Sequence, residues 1–84
     1  MIIKLDKTIF DYLLKNLSVE RPDLIEQIIQ TEVGGKIAIE LNEDIACTIR
    51  DWAGDKLQKV GFDNNYELTS SGKQLEELID LFYF

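Results

Sequence analysis

Eighty-four residues, 45% of them apolar, carry sixteen acidic and nine basic side chains, for a formal charge of −7. A chain of this length holds one domain with a small core, burying about 60–65% of its unfolded surface. Its charge repels phosphate backbones and anionic lipid and attracts basic partners, which disfavours nucleic acid and membrane surfaces as ligands.

Cys47 is the only cysteine, so no intramolecular disulfide can form. The N-terminal "MIIKLDKTIF" is interrupted early by Lys4 and Asp6, unlike the apolar core of a signal peptide. No run approaches the roughly 20 apolar residues of a membrane span. A soluble, cytoplasmic protein is expected.

"MIIKL" reads as a short strand with Met1, Ile3 and Leu5 on one face, and Asp6 as the N-cap of a first helix. Ile9, Phe10, Leu13, Leu14 and Leu17 form its apolar stripe, ended by Asn16-Leu17-Ser18. Pro22 suits the first turn of a second helix, with Leu24, Ile25, Ile28 and Ile29 buried. Gly34-Gly35 breaks the chain, and "KIAIEL" (36–41) alternates as a strand; "TEVGGKIAIEL" is a candidate hairpin across the two glycines.

Asn42 caps a third helix running to about Val60, with the stripe Ile45, Ile49, Trp52, Ala53, Leu57 and Val60, and Gly61 as its C-terminal stop. "IKLDKTI" and "IELNEDI" share one plan of strand, cap and apolar helix start. The repetition suggests neighbouring strands, parallel if a crossover joins them. Tyr66-Glu67-Leu68 reads as a very short strand before a fourth helix. That helix is capped by Thr69 or Ser70, or by Ser71 paired with Gln74, and striped by Leu75, Leu78, Ile79 and Phe82. Gly72 in its first turn has no local reason. The terminal "LFYF" is either docked in the core or a sticky end of a homodimer; docking is expected for so small a domain.

The fold expected is α+β, about four amphipathic helices on a sheet of two or three strands. Its core would hold Ile3, Leu5, Phe10, Leu13, Leu14, Leu17, Ile25, Ile28, Ile37, Ile39, Ile45, Ile49, Trp52, Leu57, Leu75, Leu78 and Ile79.

Catalytic chemistry is hard to find. The chain has no histidine, which removes imidazole bases, histidine-dependent nucleophiles and Cys/His zinc sites. Cys47, beside the third helix's apolar stripe, reads as a small half-buried hydrophobe. Asp63, Asn65 and Glu67 hold the first, third and fifth positions of a calcium loop. Leu68 then replaces its turn glycine and Gln74 its closing glutamate. Gly34-Gly35 lacks the spacing of a phosphate loop. No enzyme, metal or cofactor is expected.

The acidic surface remains. Asp44, Asp51 and Asp55 fall at i, i+7 and i+11 on one helix face; Glu40 and Glu43 lie just before, and Trp52 borders it. Carboxylates beside an aromatic anchor suit a basic protein partner, although a merely solvated face would look the same.

"KVGFDNNYELTSSGKQL" resembles the end of winged-helix domains. Gly61-Phe62 would enter the wing, Asp63-Asn64-Asn65 form its tip, and Tyr66, Leu68, Thr69, Gly72 and Lys73 match its exit. The resemblance implies DNA association through the third helix, but Glu43, Asp44, Asp51 and Asp55 there oppose it. In size, charge and the look of its C-terminal half, the chain also resembles the small immunity proteins of bacterial toxin–immunity systems. That resemblance implies stoichiometric capping of a basic toxin, often a nuclease, by acidic side chains.

Overall fold

The computed structural model describes residues 1–82. Its elements are β1 (Ile2–Asp6), α1 (Lys7–Glu20), α2 (Pro22–Ile25), β2 (Ile29–Val33), β3 (Lys36–Glu40), α3 (Glu43–Val60) and α4 (Ser70–Leu81). The fold is α+β, as expected, with a three-stranded antiparallel sheet ordered β1-β3-β2.

The sheet is built around a tight hairpin. Gly34 and Gly35 both adopt positive φ (57° and 83°), which two consecutive residues of a primed turn require, and Val33 closes on Lys36. β3 then pairs with β1 on its other side, Ile39 opposite Ile3 and Ile37 opposite Leu5. The strand-to-helix repetition thus marks true neighbours, β1 and β3, but they are antiparallel. The hairpin reverses the chain once more, so the strands running the same way are β1 and β2, on either side of β3.

α1 continues past the predicted stop at Ser18 to Glu20. It ends at Arg21, the residue before Pro22, where the proline ring excludes helical backbone. Asp6 occupies the N-cap position of α1 without capping it; its carboxylate lies 3.5 Å from Lys36 across the sheet instead. α2 holds only four residues, shorter than predicted, and Ile29 belongs to the exposed edge strand β2 rather than to a buried helical face. The apolar run 24–29 satisfied a helical spacing, yet the chain uses its end to start a strand.

α1 and α4 rest on the inner face of the sheet, and α3 packs mainly along α4. The core gathers Ile3, Leu5, Ile37 and Ile39 from the sheet with Leu13, Leu17, Ile49, Leu75, Leu78 and Phe82 from the helices. Ala46 and Ala53 are fully buried on α3, where small side chains let two helices approach closely. Of the predicted core, Leu14, Ile25, Ile28, Ile45, Trp52, Leu57 and Ile79 are only partly buried and pack around its rim. Ile9, Leu24 and Leu41 are buried instead. Phe82 is docked, as expected of the terminal aromatics; Tyr83 and Phe84 lie outside the described residues.

The α3–α4 junction is tied by backbone. Among the candidate caps, Thr69 caps α4: its Oγ1 accepts the Gly72 N–H at 3.0 Å and donates to the Val60 carbonyl at 3.0 Å. The Thr69 N–H donates to the Gly61 carbonyl at 2.8 Å. The predicted strand 66–68 reduces to a single bridge between Phe62 and Leu68.

Candidate functional site

α3 starts where Asn42 Oδ1 accepts the Ile45 N–H at 2.8 Å, satisfying a free donor of the first turn. From there the helix turns about 100° per residue, which sets what each carboxylate faces. Ala46, Ile49 and Ala53 point inward. Asp44, Asp51 and Asp55 fall on the opposite side and are exposed, forming one acidic stripe.

The other three predicted residues do not join it. Glu43 is exposed but lies about 100° round the helix from Asp44, at a helix start that favours negative charge in its own right. Glu40 sits on the outer face of the sheet, between Ile2 and Ile29 in the register. Trp52 turns toward the end of α1. Its Nε1 donates to Glu20 Oε1 at 3.3 Å, and the Lys56 ammonium, 6.0 Å from its ring centre, hydrogen-bonds and ion-pairs with Glu20 Oε2. The Lys56 bond, with the indole N–H, holds the Glu20 carboxyl below its usual range. Trp52 is a fastener between helices.

Beside the acidic stripe, Arg50, Asp51, Gly54, Asp55, Gln58 and Ile79 line an open cleft between α3 and α4. Gly54 makes it: the position where its side chain would stand has nothing within 4 Å. The sequence signal for this cleft was a glycine in the middle of a long helix, flanked four residues apart by Arg50 and Gln58. Asp51 and Asp55 therefore edge a concave surface. The ion pairs among the described residues, Arg21–Asp23, Lys36–Asp6 and Lys56–Glu20, use none of Asp44, Asp51, Asp55, Glu40 or Glu43.

In the loop after α3, whose sequence matches only part of a calcium loop, the Asp63 carboxylate is occupied by backbone. Asp63 Oδ1 accepts the N–H groups of Asn65 (2.8 Å) and Glu67 (3.1 Å). Among the described residues, no three Cys, His, Asp or Glu side chains gather as metal ligands. Tyr66 on this loop is 88% exposed at φ 61°, a conformation rare for an aromatic residue. Cys47 is half-buried and in no disulfide; its Sγ accepts from the Arg50 guanidinium at 4.0 Å. Among the described residues, no helix is long and apolar enough to cross a membrane. Comparison with protein-family models, curated proteins and solved structures gives no significant match.

Proposed function

We propose that this is a non-enzymatic cytoplasmic binding module, an immunity-type protein that neutralises a basic toxin through the outer face of α3. The observation supporting the reading is the stripe Asp44–Asp51–Asp55, exposed opposite the core, unpaired with any described lysine or arginine at ion-pair distance, and beside the cleft over Gly54. Three carboxylates on one helix present negative charge from a backbone that is already ordered. Arginines and lysines of a partner would gain attraction and orientation there. Affinity capture from the native lysate, followed by calorimetry with the purified partner, tests it. A basic protein retained in equal amount, released by high salt and lost with Asp51→Lys/Asp55→Lys, is expected. Unchanged affinity in that double variant sinks the reading.

A second reading rests on the Phe62–Leu68 bridge, which forms a short hairpin directly after α3, where a winged-helix protein carries its wing. It makes the protein DNA-associated, with a basic surface from Lys4, Lys7, Lys56, Lys59 and Lys73. Fluorescence titration with duplex DNA at low salt separates the two, since the acidic-face reading expects no saturable binding.

A further inference from the structure

The sheet leaves β2 as an edge strand whose five residues are all exposed. The Gly34-Gly35 turn closes on Val33 and Lys36 as a hydrogen-bonded pair, so Thr31 and Ile29 also bond toward β3. The same alternation points the backbone groups of Gln30 and Glu32 outward, and no hydrogen bond among the described residues reaches them. The strand has no proline, no bulge and no lysine to blunt this edge, and Glu32 is its one charge.

We propose that β2 pairs antiparallel with β2 of a second copy of this chain, joining two sheets into one of six strands. The strand is complementary to itself about Thr31. Ile29 falls opposite Val33 of the second copy, Gln30 opposite Glu32, and Thr31 opposite its own twofold mate, so no like charges stand directly opposite and the two Glu32 are only diagonal neighbours. Gln30 and Glu32, whose amides face outward, become the hydrogen-bonded pairs in that register.

The other edge does not offer this. β1 centred on itself would set Lys4 against Lys4. β1 against β2 would be head-to-tail and would propagate rather than close. Charge also favours the β2 surface. The outer face of the sheet balances Lys4 and Lys36 against Asp6 and Glu40, although the whole chain carries −7. A second copy meets little repulsion there. Ile29 and Val33, 64% and 51% exposed, would cover one another across the new pairing. This dimer leaves the outer face of α3 free and does not rest on the function proposed above.

Five residues of strand make a small interface, so association in the micromolar to millimolar range is expected. Sedimentation equilibrium of the full chain over that range tests it. A monomer–dimer equilibrium strengthened by salt is expected, because screening relieves repulsion between two acidic copies. Thr31→Lys sets two ammonium groups across the twofold axis and should weaken the dimer about tenfold or more, with the circular dichroism melt of the monomer unchanged. In a Cys47→Ser background, Thr31→Cys should oxidise to a covalent dimer. The paired Cα atoms would lie about 4.5 Å apart, within disulfide reach. The same background carrying Lys4→Cys should not. A monomer at every concentration, or a dimer that Thr31→Lys leaves intact and Thr31→Cys does not lock, overturns the proposal.

Discussion

Gly72, in the first turn of α4, abuts the backbone of Gly61 at the end of α3. A β-carbon at Gly72 would stand 2.9 Å from the Gly61 carbonyl carbon and 3.0 Å from its Cα, and closer still to its oxygen. The obstacle is backbone, which cannot swing aside as a side chain can. It is also backbone held in place by the Thr69 N–H bonded to that same carbonyl. Gly72→Ala should therefore destabilise by about 1–3 kcal/mol, despite the better helix propensity of alanine. Thermal unfolding of the variant measures this, and a neutral result would show that the junction can yield.

Gly54 makes the opposite case within α3. It has open space around its missing side chain, so Gly54→Ala should stabilise by about 0.5–1 kcal/mol through helix propensity alone. The methyl group would also begin to fill the cleft beside Asp51 and Asp55. A variant that melts higher yet binds the basic partner less well would tie the cleft to function.

These two glycines show what a sequence can and cannot reveal. The β2–β3 hairpin was legible because paired glycines and strict alternation are local properties. The Asn42 cap was legible for the same reason, whereas Thr69 was one of three candidates that only its hydrogen bonds to Gly72 and Val60 separate. Strand direction was not, because it depended on how many reversals separate β1 from β3. Gly72 was opaque because its reason lies eleven positions away, at Gly61. The acidic stripe could be read from spacing, since residues i, i+7 and i+11 share a face in any helix. Trp52 was misplaced relative to that stripe because Glu20, which holds it, sits on a different helix.

The loop between α3 and α4 bears a strained residue. Tyr66 holds φ 61° while exposing nearly all of its side chain, so little burial repays that conformation. Tyr66→Asn should stabilise by several tenths to about 1 kcal/mol, since asparagine tolerates the left-handed region. Asp63→Ala should cost about 1–2 kcal/mol by freeing the N–H groups of Asn65 and Glu67. Urea unfolding of both variants checks the pair of opposite signs.

The acidic stripe divides by position. Asp44 lies in the first turn of α3, where negative charge meets unpaired N–H groups, so Asp44→Asn should cost about 0.3–1 kcal/mol. Asp51 and Asp55 are four residues apart and repel one another. Asp51→Lys turns that repulsion into attraction, with no other charged side chain three or four positions away, and should stabilise by about 0.5 kcal/mol. A wild-type chain less stable than this variant would mean that Asp51 is not kept for folding. Equal or lower stability of the variant would remove that support for a binding role.

Glu20 gives the fold a pH dependence that can be located. The hydrogen bond from Lys56, aided by the Trp52 indole N–H and opposed by partial burial, lowers its carboxyl below the usual 4.5. A carboxyl whose folded value is depressed stabilises fully above its unfolded value, and loses that contribution as pH falls through the folded value. The side chain is 38% exposed, so solvent screening limits the contribution to about 0.5–1 kcal/mol. Glu20→Gln should lose this amount at neutral pH. Its difference from wild type should close once the medium is well below pH 4.5 and the native carboxyl is itself neutral. Trp52, the only tryptophan and a direct partner of Glu20, reports both unfolding and the local change by fluorescence. A gap between wild type and Glu20→Gln that persists undiminished in acid would assign the stabilisation to packing of the Glu20 stem rather than to its charge.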